Sequence, residues 1–447
     1  MAGDDLAGWR GMTWRASHVL VRSGLFSAAA ALVAVLLGRP DLLVFAVGFG
    51  VHAVVAILHR PGEDPRASSR LARDTVREGQ GTRVRIGLER ARGVEFVGAT
   101  LLTHPWTGYH PPNGVLTHTA SKSPSSTMRL VAEVASLRWG RREAGDGLVS
   151  AYSRWAGYQW GQAALPASPF TTLPVPGPFD SAAHAPHPIG LVGTHPAGRA
   201  GDGSEFAGIR PFVPGDRLRR IHWRVSLRTG ALHVTSTVAE QDASVLLLVD
   251  SGVEIGASGG LGGAESSLDI AVRAAGAVAE HYLRNGDRVG LRVLGSTRHN
   301  ALPTSAGGRH LRRLLDVLAR ISPGESRHVD AARLRFQVPA GAVVLVFSPM
   351  LSDRVVAATG LLARRGLSVV VVDTLPAGLD RREDPGHTTT ERLAWRLRSL
   401  ERDALLGRVT RLGIPVVAWH GPGTLDDVLR GLGRRAALPA RGAAVAR

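Results

Sequence analysis

Ser244-Val-Leu-Leu-Leu-Val-Asp250 is an unbroken apolar run closed by a carboxylate. A strand with one wet face alternates, whereas a run apolar at every position predicts a strand covered on both faces, as in a parallel sheet. The pattern repeats downstream. Residues 288–294, 342–347, 367–372 and 414–418 read as strands. Residues 267–283, the Leu311, Leu314, Leu315, Leu318 stretch, 355–363, 390–412 and 425–432 read as helices. In the first of these helices Leu268, Ala271, Val272, Ala275 and Val278 keep the 3.6-residue period. The alternation predicts a Rossmann-like α/β domain over 244–435, then a flexible tail, 436–447. Its ligand edge is expected at the carboxyl ends of the strands, where Asp250, Ser348 and Asp373 fall.

Upstream the period changes from helix-like to two. Thr82-Arg-Val-Arg-Ile-Gly-Leu88 alternates, as does 128–134, and Glu78-Gly79 marks a turn. Short alternating stretches between Gly, Pro, Asn and Ser clusters predict a small antiparallel β-sandwich over 66–176. Trp106, Tyr109, Trp139, Trp155, Tyr158 and Trp160 concentrate there and read as core and edge packing rather than a ligand platform. Residues 177–203 form a Pro-, Gly-, Ala- and His-rich linker. Its His184, His187 and His195 match no regular metal-ligand spacing.

Two apolar runs precede the sandwich. Residues 25–37 are unbroken, and 42–58 are interrupted only by His52. The second run, 17 residues, spans ~26 Å as a helix, near the lower limit for crossing a bilayer. A signal peptide followed by a core helix fits less well, because Gly38-Arg-Pro-Asp41 is a poor cleavage site and more apolar chain follows at once. The expectation is a transmembrane hairpin over 18–60. Arg10 and Arg15 lie before it, Arg60, Arg66, Arg70 and Arg73 after it, and only Arg39 in the turn. By the positive-inside rule residues 1–17 and the carboxyl terminus both face the cytoplasm. The basic stretch after Leu58 would lie near anionic headgroups.

Lys and Arg number 54 against 37 Asp and Glu, a formal charge of +17, and Lys122 is the only lysine. Apolar content of 44% and charged content of 20% are ordinary for a globular chain and exclude full disorder. The absence of cysteine excludes disulfides, a thiol nucleophile and cysteine-ligated metal. No Walker loop or His-Glu-x-x-His occurs. Gly259-Gly-Leu-Gly-Gly263 lacks the lysine and spacing of a phosphate cradle and reads as a flexible loop. Helix 390–412 is arginine-rich, but Glu391, Glu401 and Asp403 give it the spacing of a solvated face. No nucleic-acid recognition motif accompanies it.

The densest local signal lies in 204–243. It includes Arg210-Pro-Phe-Val-Pro-Gly-Asp216, Arg220-Ile-His-Trp223, Ser226-Leu-Arg228, Gly230-Ala-Leu-His-Val234 and Glu240. Pro214-Gly215 suits the centre of a type II turn. Asp216 can then cap a short helix whose inner face is Leu218, Ile221 and Val225. Arg210, Arg217, Arg219, Arg220, Arg224 and Arg228 surround it, and Arg220 or Arg224 can stack on Trp223. Two readings stand: a structural junction fixed by Arg–Asp216 pairing, or an anion- or partner-docking surface.

This signature, with the strand ending at Asp250, resembles that of domain-of-unknown-function family 58, most closely over 200–250. The resemblance implies a bacterial membrane hairpin, a β-sandwich and a von Willebrand factor A-like domain. It also implies a MoxR-type AAA+ ATPase as the partner, in chaperone-like maturation or cell-envelope processes. Metal-binding von Willebrand A domains carry Asp-x-Ser-x-Ser, then a Thr and an Asp on later loops, which complete an oxygen shell. Here the corresponding stretches read Asp250-Ser-Gly-Val-Glu254, Arg327-His-Val-Asp330 and Ser348-Pro-Met350. Only Asp250 is retained, so no Mg²⁺ or other cofactor is expected, although Ser251, Glu254 or Asp353 could rescue a site. The combined expectation is a multi-pass, membrane-anchored, non-enzymatic adaptor with a protein partner and neither nucleic acid nor a small-molecule substrate. The alternatives are a metal-dependent binder or hydrolase using the Asp250 loop, and a basic nucleic-acid-binding protein.

Overall fold

The computed structural model describes residues 12–120, 126–181, 196–214, 216–240, 244–295, 301–324, 342–377 and 388–437. It falls into two compact units, Met1–Leu173 and Pro174–Arg447.

The first unit opens with strand β1 (Arg15–Ala16), followed by helices α1 (His18–Leu37) and α2 (Leu43–Leu58). Ser17 caps α1 by accepting from the Leu20 N–H at 3.1 Å. Gly38, at φ +63°, closes it in the left-handed region. The helices pack through small residues. Ser27 Oγ donates to the Ala46 carbonyl at 2.7 Å, and a Cβ on Gly50 would lie only 2.9 Å from Ser27 Oγ. Both segments, His18–Leu37 and Pro40–Leu58, are long and apolar enough to cross a membrane, and each apolar window is only 17% buried. Core helices of a soluble protein would be largely covered; here Val35, Leu36, Val44 and Leu58 face outward.

The rest of this unit is β-structure. One sheet has the order β1, β11 (Tyr158–Leu165), β10 (Gly147–Ser153), β5 (Val94–Leu101), β7 (Val115–Thr119). A second runs β2 (Arg66–Leu71), β4 (Gly81–Glu89), β8 (Thr127–Ser136), β6 (Thr107–His110). A small third runs β3 (Thr75–Arg77), β12 (Ser168–Leu173), β9 (Gly140–Ala144). β4 and β8 bury every second residue, so Val84, Ile86, Leu88, Leu130 and Val134 join Val97, Val149 and Trp160 in one core. Tyr109, Trp139 and Trp160 are buried, whereas Trp155 is exposed. The described end of the amino-terminal stretch, residues 12–17, joins this β-structure. Arg15 and Ala16 pair with Gln159 and Tyr158, and Trp14 enters the β core while its indole donates to the Glu63 carbonyl at 2.8 Å.

The second unit begins with an antiparallel pair, β13 (Pro196–Pro211) and β14 (His233–Glu240), joined through α3 (Trp223–Thr229). β13 starts inside the stretch read as linker, so the hairpin claims its last residues; His184, His187 and His195 lie outside the described residues. A six-stranded sheet follows. Its order is β17 (Ala301–Ser305), β16 (Arg288–Leu294), β15 (Ser244–Asp250), β18 (Val343–Ser348), β19 (Ser368–Asp373), β20 (Val416–Ala418). All neighbours are parallel except β17, an antiparallel edge strand too polar and exposed to show as a buried-type run. β15 is buried at all seven positions. Helices α4 (Ser267–Arg284), α5 (Gly308–Ala319), α6 (Asp353–Arg364), α7 (Thr389–Arg411) and α8 (Asp426–Ala437) accompany it. Leu246, Leu248, Val344, Val346, Val369 and Val371 share a core with Val355 and Leu362 of α6 and Leu405 and Val409 of α7. α8 extends to Ala437, beyond the expected boundary at 435.

Candidate functional site

The hairpin of the second unit carries the sequence signature. Phe212 N–H donates to the Leu232 carbonyl and His222 N–H to the His233 carbonyl, so the chain between β13 and β14 is drawn back onto the hairpin. Arg210 forms a two-pronged pair with Asp216, at 2.7 and 2.5 Å, and Asp216 also accepts from the Val213 N–H at 2.8 Å. The Arg210 bond and the Val213 amide hold the Asp216 carboxyl below its ordinary range. Asp216 N–H returns to the Val213 carbonyl, closing the turn that contains Pro214; Gly215 lies outside the described residues.

Asp216 therefore does not cap the helix. That place belongs to His222, whose Nδ1 accepts from the Val225 N–H at 3.3 Å. Gly230, at φ +72°, stops α3 in a conformation only glycine adopts freely. The inner face also differs from expectation. Ser226 is the buried residue of α3: its Oγ donates to the His222 carbonyl at 3.0 Å and accepts from the His233 N–H at 2.8 Å. Leu218 is 69% exposed, and Ile221 pairs with Val234 at the hairpin. Arg210, Asp216, His222 and Ser226 thus spend their polar groups within the hairpin. Arg220 is half-buried, Trp223 and Arg228 point outward, and Glu240 sits in β14 opposite Pro196.

The second candidate location is the carboxyl edge of the parallel sheet. Asp250, Ser348 and Asp373 end β15, β18 and β19. Asp250 is buried; one oxygen accepts from Ser348 Oγ at 2.7 Å and the other from the Gly252 N–H at 3.0 Å. Burial pushes its carboxyl above the ordinary aspartate range, and those two bonds pull the other way. Ser348 Oγ accepts in turn from the N–H of Met350, which stands at φ +54°. Ser251 Oγ donates to the Leu294 carbonyl, and Glu254 accepts from Ser266 Oγ at 2.5 Å. Asp353 pairs with Arg408. Among the described residues, no three His, Cys, Asp or Glu side chains converge as a metal shell would require. Arg327–Asp330 lie outside them. The three residues considered for rescue of a metal site are thus all bonded elsewhere.

One feature of this edge escaped the sequence reading. Arg402 pairs with Asp373 and donates Nε to the Pro349 carbonyl at 2.8 Å. Arg398 donates to the Leu351 carbonyl at 2.7 Å and pairs with Glu401 at 2.9 Å. The arginines of α7, read as a solvated face, include three that clip the helix to this unit. Their spacing, 398, 402 and 408, carries no mark of that role, because the partners lie about 30 to 55 residues away in sequence. Among exposed charged residues such as Arg392, Arg396 and Asp403, α7 also carries an apolar row: Leu393, Leu397 and Leu400, at helical spacing, are 59, 61 and 67% exposed.

The chain is 28% identical over 206 residues, 45% of its length, to uncharacterized protein Rv1480 of Mycobacterium tuberculosis and, in the same measure, to uncharacterized protein Mb1516 of Mycobacterium bovis. It spans about half the length of these relatives, 55%. Residues 208–394, from within β13 through the hairpin tip and strands β15–β19 into the start of α7, match the family model described as protein of unknown function DUF58.

Proposed function

We propose that this chain is a membrane-anchored, non-enzymatic adaptor of the bacterial cell membrane. The two apolar helices form the multi-pass anchor with both termini cytoplasmic. The amino-terminal β-structure is a sandwich, and the carboxyl-terminal unit is a von Willebrand factor A-like module that binds protein partners. A MoxR-type AAA+ ATPase is the partner that the family resemblance puts first, in chaperone-like or envelope processes.

The observation that carries this reading is a contrast within the second unit. The carboxyl edge, where open parallel sheets take small ligands, is occupied by internal bonds from Asp250, Ser348, Asp373 and Arg402. Beside it, α7 presents the row Leu393, Leu397, Leu400 to solvent. Apolar rows left open on a folded unit serve protein–protein contact. The basic charge gives less support to nucleic acid, since Arg398, Arg402 and Arg408 are engaged within the unit.

Copurification of the MoxR-type ATPase with the full-length protein tests the reading. The wild type should retain the ATPase, and Leu397→Glu should weaken retention about tenfold or more, the scale expected for a central apolar anchor. Equal retention by Leu397→Glu counts against this surface. Titration calorimetry with Mg²⁺ and Mn²⁺ addresses the alternative: one-to-one binding abolished by Asp250→Ala would replace the adaptor reading with a metal-dependent one.

A further inference from the structure

The tip of the β13–β14 hairpin has surface chemistry that the adaptor reading does not use. Trp223 and Leu227 lie one turn apart on α3, 61 and 81% exposed, and Leu218 on the preceding turn is equally open. Ser226 faces inward, so the apolar pair occupies the outward side of the helix. Around it stand Arg219, Arg224 and Arg228, all exposed and without an ion pair to any described residue. From Arg217 to Ala239 the sequence contains no Asp or Glu. Aspartate 216, the nearest acid, is occupied by Arg210.

A hairpin connection with exposed Trp and Leu on its outward side and exposed arginines beside them matches the interfacial layer of a bilayer. The indole and leucines favour the boundary between headgroup and chain, while guanidinium groups reach phosphate oxygens. The same chain carries two helices long and apolar enough to cross a membrane. An anionic surface would then be offered at high effective concentration. We infer that the α3 tip docks on the bilayer surface, with Trp223 and Leu227 entering the interface and Arg219, Arg224 and Arg228 binding anionic lipid headgroups. This rests on the membrane-anchored part of the proposed function.

Because the native chain has no cysteine, single-cysteine probes report unambiguously. Full-length Leu227→Cys and, separately, Val47→Cys on α2 would each carry an environment-sensitive fluorophore. Both would be reconstituted in nanodiscs containing spin-labelled quencher lipid, with either phosphatidylcholine alone or added phosphatidylglycerol. The Val47 probe should be quenched in both mixtures. The Leu227 probe should be quenched strongly only with phosphatidylglycerol, since three arginines at an anionic surface shift docking by roughly 100-fold. That quenching should fade in high salt and in Arg219→Gln/Arg224→Gln/Arg228→Gln, whose Val47 control must stay unchanged. Quenching at Val47 with none at Leu227, or quenching at Leu227 that ignores lipid charge, overturns the inference while sparing the anchor. Absence of quenching at Val47 overturns both. Burial of the Leu227 probe only on adding the ATPase would assign the tip to a protein partner instead.

Discussion

Asp250 closes the run that identifies the parallel sheet, and its two carboxylate oxygens accept from Ser348 Oγ and the Gly252 N–H. Removing the carboxylate strands the Ser348 hydroxyl and the Gly252 N–H, so Asp250→Ala should cost about 2 kcal/mol. Asp250→Asn separates charge from bonding. Burial raises this carboxyl above 3.8, so folding takes up protons at this position. Its contribution to stability is then greatest below the unfolded value and declines as pH rises through the folded one. The asparagine variant lacks that decline. Denaturation midpoints followed by tryptophan fluorescence should therefore show the variant gaining on the wild type as pH climbs from 3.8. Parallel curves would mean that folding leaves the proton affinity of this carboxyl unchanged, and a variant falling behind as pH climbs would mean the carboxylate is stabilised as a charge. The strand-end position of Asp250 was legible in the sequence. Its bonding to Ser348, 98 residues away, was not.

At the level of elements, hydrophobic period predicted backbone type well and side-chain allegiance poorly. Continuous Val and Leu runs exposed β15, β18 and β19, because burial on both faces leaves no room for polar side chains. The connection carrying α3 is the counterexample: its apolar residues suggest an inner face of Leu218, Ile221 and Val225, but Leu218 is exposed and a serine with two backbone partners is the buried residue of α3. A short helix on a hairpin is held by hydrogen bonds rather than apolar area, and such bonds leave no period to read. Gly230 tests this description. Alanine there meets no neighbour within 4 Å but must adopt φ +72°, so Gly230→Ala should cost about 1 kcal/mol. Hydrogen exchange should quicken across 223–229 and not in β15. Helix α7 is held differently. Arg402→Ala leaves the Asp373 carboxylate and the Pro349 carbonyl without their fork, with side chains 12 and 19% exposed in the pair. A loss of roughly 2–3 kcal/mol is expected, below the fully buried range because water reaches the pair. Lysine should recover only part of it, since one ammonium replaces two directed donors. Full recovery would show that charge alone matters.

Across the whole chain, the helix pair and the β-structure of the first unit form one mechanical piece. Ser17 N–H donates to the Gly157 carbonyl, Trp14 N–H to Asp64 at 3.2 Å, and Arg60 lies over the Tyr158 ring at 5.6 Å. His52 Nε2 lies 3.1 Å from the Trp155 carbonyl, and Gly157 sits so close to Ala56 that a Cβ would come within 2.6 Å of its side chain. Both ends of the helical hairpin therefore meet the same β-structure, and the turn at Gly38 lies at the opposite end of α1. The sequence displayed the hairpin plainly but hid this junction, because two residues of strand and a single tryptophan make no pattern. It has a consequence for the anchor. A helix pair gripped at one end and bare elsewhere cannot be satisfied by water, so the protein should sediment with membranes after lysis, resist alkaline carbonate and enter solution only with detergent. Trp14→Ala should leave that partitioning unchanged, since no apolar span is altered. It should nevertheless destabilise the detergent-solubilised protein by about 3 kcal/mol, the scale of emptying a tryptophan site in a core, and open residues 158–165 to hydrogen exchange through loss of the β1–β11 pairing. Recovery of the intact wild type from a detergent-free supernatant would remove the anchor. An unchanged exchange rate in β11 of Trp14→Ala would show that the amino-terminal strand is a passenger rather than the bolt between helices and sheet.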